Sequence, residues 1–402
     1  MKNRLCLVCL VAAALLAAPA PAQRSDSRPA VPIRNPVEDA WGLVAKGQRQ
    51  EACQLLREIV QKNPGNVDAR LLLGSLLTES GDREEAIRQL NAAVRLRPRS
   101  AEAQNALGEA FHTFGDPQAA RKPFEVAVSL DPNLAQAQAN LGQVLIETGD
   151  SDGAAAHLDR AIRLMGTSPD AALPHYLRAK VCIAKNDPAG AAAHLNEAVK
   201  LLPDFAEAWS DLGQTRKSLL DDPGALAAFE RAAKLKPDDA VAQYRLGTEY
   251  LRMDRNAEAI EHLRAAYRLD PEDQSTMNGL QLALRRSGQI EEANRIRQAL
   301  SELLEKKDKA RQDALTAIEL NNEGALLQKN GDLRGALQKY QEALDLYPEH
   351  TGIRTNLAVA LLRLGDWTRG IAQLREALRR NPGDTEIRKA LDDALAQAPR
   401  RR

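Results

Sequence analysis

The chain has 402 residues, and its 55 lysine and arginine side chains balance 55 aspartate and glutamate side chains. The formal net charge is therefore zero, so no basic excess favours binding to nucleic acid or to an anionic lipid surface. We expect no nucleic-acid partner.

The N-terminal segment has the pattern of a secretory signal peptide. Lys2 and Arg4 precede an apolar run over residues 5–18, which is followed by small residues up to Ala22. We predict cleavage after residue 22 and export to the periplasm or the medium. The apolar run is too short to span a bilayer, so no stable membrane insertion is predicted. Residues 23–32 are rich in Pro, Ser and Arg, which predicts a disordered leader.

A set of marker residues then recurs about every 34 residues. In the segment 101–134 the markers are Leu107, Gly108, Phe111, Gly115, Ala120, Phe124, Ala127 and Pro132. This pattern resembles the tetratricopeptide repeat, a 34-residue helix–turn–helix. The resemblance implies a first helix, a turn glycine and a second helix in each repeat. Small residues such as Gly108 are expected where the two helices meet, because a larger side chain would overpack the contact.

Ten such repeats tile residues 33–384 and predict an all-α fold, a right-handed α-solenoid. The frame also resembles the repeat arrays of O-linked N-acetylglucosamine transferases, without their catalytic domain. No glycine or proline lies between residues 289 and 323, so one helix is expected to run through that region. The predicted parts are an N-terminal array of eight repeats over 33–307 with a three-residue insertion at 169–171, a helical linker over 308–316, a C-terminal pair of repeats over 317–384, a cap helix over 385–398 that is amphipathic through Ile387, Leu391 and Leu395, and a basic tail over 399–402.

Two patterns that could carry chemistry have simpler explanations. Residues 149–153 match the G-x-S-x-G nucleophile motif, but a helix precedes them where that motif needs a strand. His157, His194 and His262 share position 23 of their repeats, and the first two lie in neighbouring repeats and could approach each other. A zinc site needs three or four ligands, and no cysteine or carboxylate joins them at a recognisable spacing. We predict no catalytic residue, no metal and no cofactor.

The remaining candidate surface is the concave face that the resemblance implies. In this family that face is lined chiefly by positions 2, 5, 9 and 12 of the first helix. The two tyrosines on this face are expected to contribute most to binding, because aromatic anchors dominate such surfaces. The side chains of the face are expected to pack against nothing within the array. In repeats 5 to 7 the predicted partner-binding residues are Tyr176, Lys180, Ile183, Gln214, Lys217, Tyr244, Thr248 and Leu251.

The sequence thus predicts a non-catalytic protein–protein interaction scaffold or adaptor of the cell envelope. Its partner would be a protein or peptide bound on the concave face. One alternative is a structural protein that self-associates through its edges. A second alternative is a metal carrier or enzyme that uses the three histidines. The sequence does not predict the oligomeric state.

Overall fold

The computed structural model describes residues 36–399 and contains twenty α-helices, one 3-10 helix and no strand within that range. The signal peptide, the leader and Arg400 to Arg402 lie outside the described residues. The all-α prediction is confirmed. In chain order the helices are α1 (Pro36–Ala45), α2 (Arg49–Lys62), α3 (Val67–Ser80), α4 (Arg83–Leu96), α5 (Ala101–Thr113), α6 (Pro117–Leu130), α7 (Ala135–Glu147), α8 (Ser151–Met165), the 3-10 helix (Pro169–Ala171), α9 (Ala172–Ala184), α10 (Pro188–Leu201), α11 (Ala206–Ser218), α12 (Asp222–Leu235), α13 (Ala240–Arg252), α14 (Asn256–Leu269), α15 (Gln274–Arg286), α16 (Ile290–Lys329), α17 (Leu333–Leu346), α18 (Thr351–Arg363), α19 (Trp367–Arg380) and α20 (Thr385–Gln397).

The turn between the two helices of a repeat is built in a similar way in several repeats. Gly115 has φ = 79°, a left-handed conformation that glycine adopts without strain. The next residue, Asp116, accepts a hydrogen bond from the backbone N–H of Ala119 at 2.9 Å and so caps α6. Aspartates at the same repeat position cap six other second helices, namely Asp82, Asp150, Asp187, Asp221, Asp332 and Asp366.

In most repeats the two paired helices approach each other at a small residue in position 8. A Cβ atom added to Gly108 would lie 2.6 Å from the ring of Phe124, which is 1% exposed. Gly213 meets the ring of Phe229 in the same way, also at 2.6 Å. Ala120 and Ala127 are fully buried beside this contact. The expectation that small residues lie where the helices meet is therefore confirmed in repeats 3 and 6.

The chain forms two compact units, one ending at Tyr250 and the other beginning at Leu251. Each unit has its own buried side chains at the helix pairs. The first unit fully buries Leu56, Leu73, Leu90, Phe124, Leu158, Leu195 and Leu212, and the second fully buries Leu263, Met277, Leu280, Leu284 and Tyr340. The division into an array over 33–307 and a pair over 317–384 stays a prediction.

The second unit contains the longest helix, α16, with 40 residues. Residues 308–316 lie inside it, and every side chain from Leu304 to Gln312 is exposed. The C-terminal helix α20 packs on α19 through Ile387, Leu391 and Ala394. Leu395 is 45% exposed, so the packed face of this cap helix uses Ala394 where the sequence suggested Leu395.

Candidate functional site

Tyr176 on α9 contacts a carboxylate and an aromatic ring of the core. Its hydroxyl donates a hydrogen bond to Asp211 Oδ2 at 3.1 Å, and its ring lies 4.9 Å from the ring of Phe205. Burial and the neighbouring Asp211 carboxylate raise the pKa of the Tyr176 hydroxyl. The expectation that this face packs against nothing within the array is therefore wrong for Tyr176, because its ring covers part of the core.

Asp211 on α11, in repeat 6, is contacted by groups from the repeats on either side of it. Besides Tyr176, it accepts from Lys180 Nζ at 3.4 Å through Oδ2. Arg245 Nη1, on α13, lies 3.6 Å from its other oxygen and also donates to Ser210 Oγ at 2.6 Å. The Asp211 side chain is 19% exposed, so these donors stabilise a partly desolvated carboxylate.

A cavity of about 300 Å³ lies beside these groups, where α9, α11 and α13 approach. Cations and carboxylates form its rim, and Ala206, Ala232, Val241 and Ala242 provide its apolar wall. Lys236 donates to Glu207, and Asp239 accepts from the backbone N–H of Val241 at 2.9 Å. The charged and polar lining consists of Tyr176, Lys180, Glu207, Ser210, Asp211, Lys236, Asp239 and Arg245.

Of the eight predicted residues, only Tyr176 and Lys180 line this cavity. Ile183 and Gln214 are exposed, while Tyr244 and Thr248 are half-buried. The Thr248 hydroxyl donates to the Tyr244 carbonyl in its own helix, at 3.0 Å. Lys217 Nζ lies 3.7 Å from Oε2 of the fully buried Glu249. Leu251 is 8% exposed and offers almost no surface to a partner.

Sequence reasoning missed Asp211 and Arg245 as site residues. Both occupy position 6 of a first helix and contact position 5 of the preceding repeat, 35 residues earlier. The same contact joins Asn140 to Asn105 at 3.1 Å and Asn356 to Asn321 at 2.9 Å. A pair of polar residues 35 positions apart in the sequence would therefore have indicated this contact. The residue types that form the pair differ from repeat to repeat.

A second polar cluster lies on α5 and α7 in repeats 3 and 4. Glu109 accepts from Asn105 and Asn140 at 3.0 and 2.9 Å, and its burial raises the pKa of its carboxyl. Nearby, His112 Nε2 lies 2.9 Å from Glu147. These first helices thus carry hydrogen-bonding groups that already bond one another.

The histidines do not pair as the sequence suggested. His194 lies next to His175 of its own repeat, with the two Nδ1 atoms 3.1 Å apart. His157 instead contacts Gln138, with Nδ1 2.7 Å from Oε1. Residue 23 of a repeat, on its second helix, faces residue 4 of the same repeat, on its first helix. This arrangement explains both contacts. Residues 36–399 contain no group of three or more His, Cys, Asp or Glu side chains arranged to hold a metal ion.

Within residues 36–399, none of the helices has the length and the apolar character needed to cross a membrane.

Comparisons with solved structures find other helical repeat proteins. PilF of Pseudomonas aeruginosa is 20% identical, with a TM-score of 0.49, over 53% of this chain and 95% of that chain. PilW, described as a widely conserved type IV pilus biogenesis factor, is 17% identical, with a TM-score of 0.47, over 53% and 96%. YrrB, described as a protein with an unusual peptide-binding site, is 21% identical, with a TM-score of 0.41, over 47% and 96%. These likenesses carry no functional argument here. No curated protein matches the chain.

Three family models, each described as a tetratricopeptide repeat, match the sequence. One matches residues 43–110 and one matches 135–164. The third matches 176–240, 221–274, 244–311 and 321–385, which together make up half of the chain. The packed helix pairs, the turn glycines and the small residues at position 8 agree with these matches. The chain belongs to the tetratricopeptide repeat family, whose members commonly mediate protein–protein interaction.

Proposed function

We propose that the chain is a non-catalytic scaffold that binds a segment of a partner protein on the first helices of repeats 5 to 7. We call this surface the first-helix face and define it by α9, α11 and α13. The observation that carries the proposal is the cavity beside Asp211. It combines an apolar wall with a rim of both charge signs, which is the composition of surfaces that hold one apolar side chain and bond the adjacent backbone.

The size of the cavity supports a peptide as the occupant. About 300 Å³ is at the lower end of the range for small-molecule sites, and it suits one or two side chains. Val241 is 56% exposed in its wall and would cover an apolar side chain of the partner. Lys180 and Arg245 would meet backbone carbonyls, and Glu207 and Asp211 would meet backbone N–H groups.

The other predicted residues extend the first-helix face beyond the cavity. Ile183 and Gln214 are exposed and would contact flanking residues of the partner. Tyr244 would act as the main aromatic anchor, since the ring of Tyr176 is partly used by the core. Tyr244→Ala should therefore weaken binding at least tenfold.

Export to the periplasm or the medium is part of the proposal. It rests on the signal-peptide pattern of residues 1–22. Terminal sequencing of the exported protein should find Gln23 first. An intact Met1 would contradict cleavage.

Peptides selected from a random library on the full chain supply probes for the binding test. Val241→Glu places a carboxylate in the apolar wall and should weaken their binding at least about tenfold, measured by calorimetry. Leu96→Glu is the matched control, because Leu96 is 49% exposed on a second helix of the same unit. Equal losses for the two variants, or no loss for either, would contradict the first-helix face as the site.

A further inference from the structure

The first helix of repeat 9 exposes a surface that other repeats bury. In those repeats the preceding repeat packs against this surface. Position 10 of the first helix is at most 5% exposed in repeats 2 to 8 and in repeat 10, from Leu76 to Ala360. In repeat 9 the same position is Leu326, which is 60% exposed. Position 3 is likewise buried in those repeats, whereas Glu319 of repeat 9 is exposed. The edge of repeat 9 that faces the preceding residues is therefore uncovered.

The cause is the continuity of α16. Most repeats end their second helix at a proline, such as Pro132, and the chain then turns back to stack the next repeat. Repeat 8 has Glu305 at that position, and the helix continues through residues 308–316 into repeat 9. Repeat 8 therefore cannot fold over the edge of repeat 9.

The uncovered surface carries a regular apolar stripe. Leu304, Leu315 and Leu326 are eleven residues apart, and an eleven-residue spacing returns to one helix face after about three turns. They are 42%, 52% and 60% exposed. This face looks away from Ala317 and Gly324, which are buried in the core of repeat 9. The stripe is about 33 Å long.

The polar residues on either side of Leu315 would complement each other if two copies of this helix paired in opposite directions. Arg311 precedes Leu315 by four residues, and Glu319 follows it by four. Asp308 precedes it by seven, and Asn322 follows it by seven. All four are exposed. Two antiparallel copies centred on Leu315 would therefore align Leu304 with Leu326, arginine with glutamate, and aspartate with asparagine. A parallel pair would instead align Arg311 with Arg311 and Glu319 with Glu319.

We propose that two copies of the chain associate through antiparallel α16 helices, with the twofold axis at Leu315. The apolar layers supply the contact, and the polar layers between them fix its direction and register. The occupant is a second copy because the stripe is complementary to itself. This inference does not rest on the first-helix face of repeats 5 to 7.

Sedimentation velocity of the full chain over a concentration series tests the association. The unsubstituted chain should form a dimer. Leu315→Glu with Leu326→Glu should raise the dimer dissociation constant at least about a hundredfold, because it removes buried leucine contacts from both copies. Leu269→Glu with Leu282→Glu is the matched control, since each is 44% exposed in the same unit and lies outside the stripe. Circular dichroism should show unchanged helix content in both.

A charge exchange tests the antiparallel register. Arg311→Glu should raise the dimer dissociation constant at least about tenfold. In the antiparallel dimer, residue 311 of each copy faces Glu319 of the other copy, so the substitution places two glutamates opposite each other at both of these contacts. Adding Glu319→Arg should restore it. Leu315→Cys should be cross-linked between copies by a short bismaleimide, whereas Lys306→Cys on the opposite side of the helix should stay at the level of the unsubstituted chain. A monomer at all concentrations, a dimer insensitive to the leucine changes, failed restoration or equal cross-linking would each overturn the proposal.

Discussion

Repeats 3 and 8 occupy the same frame but differ at the contact that joins their two helices. Repeat 3 has Gly108 at position 8 against Phe124 at position 24, and the ring is 1% exposed. Repeat 8 has Gln281 and Arg297 at those positions, and Arg297 is exposed. A long polar side chain at both positions removes the interlocking contact. The two repeats therefore differ in whether positions 8 and 24 supply an interlocking apolar contact.

The second unit contains a cavity between repeats 7 and 8. Its volume is about 550 Å³, and it lies between α14 and the start of α16, with Leu280 and Ile296 in its wall. Arg264 bridges part of it by donating to Glu292 at 2.6 Å and to Gln289 at 3.2 Å. These hydrogen bonds join the second helix of repeat 7 to the start of the second helix of repeat 8.

The largest expected effect comes from truncating position 24. Phe124→Ala should destabilise repeat 3 by about 3–5 kcal/mol, because it removes a buried ring and leaves a cavity. Arg297→Ala in repeat 8 should change stability by less than about 0.5 kcal/mol, because its side chain is exposed. Hydrogen exchange resolved by segment measures both. Similar losses of protection in the two variants would contradict the proposed difference between repeats 3 and 8. A uniform loss of protection along the chain would contradict a fold that is held together by local contacts.

Filling position 8 should have the next largest effect. Gly108→Ala places a methyl group 2.6 Å from the Phe124 ring and should cost about 1–3 kcal/mol. Gln281→Ala shortens a half-buried side chain in repeat 8 and should cost less than that. Denaturant unfolding followed by segment-resolved exchange separates the two costs. An unchanged repeat 3 would mean that Phe124 can move aside.

Acidification should distinguish repeat 8 from repeat 5. Burial lowers the pKa of His175 and His194 in repeat 5 below their ordinary value of 6.5. The unfolded chain therefore binds protons first, so stability is complete above about pH 6.5 and falls as the pH drops through the lowered pKa values. Repeat 8 has no histidine and should lose nothing from this cause. Hydrogen exchange of repeats 5 and 8 at pH 7.5 and pH 5.5 measures the difference, and His175→Gln with His194→Gln should reduce it.

The smallest effect concerns the turn. Leu220 takes the place of the turn glycine in repeat 6, with φ = 60°, and is 87% exposed. Leu220→Gly should stabilise repeat 6 by up to about 1 kcal/mol, because glycine adopts this conformation without steric cost. Gly115→Ala, at φ = 79° in repeat 3, should destabilise by a similar amount. Thermal unfolding measures both, and changes of the same sign would contradict the strain argument.

The frame of the fold was predictable because it depends on residues near each other in the chain. Turn glycines such as Gly115 and small residues such as Gly108 act within one repeat. The cavity beside Asp211 was not predictable in the same way, because Tyr176 and Arg245 reach it from different repeats. The contact of His194 with His175 was missed because it joins the two helices of one repeat, whereas the sequence comparison aligned equal positions of neighbouring repeats.

Asp211 links charged side chains from the two ends of the first-helix face. Its carboxylate is shared by Tyr176 and Lys180 of repeat 5 and by Arg245 of repeat 7. A partner group that draws Arg245 away leaves Lys180 as the sole cation beside that carboxylate, which strengthens their attraction. Lys180 and Arg245 are therefore energetically coupled although a whole repeat separates them, in a fold whose repeats otherwise interact with their immediate neighbours. In the proposed binding mode, occupation of one end of the face would therefore change the affinity of the other end, and the three repeats would recognise a partner cooperatively.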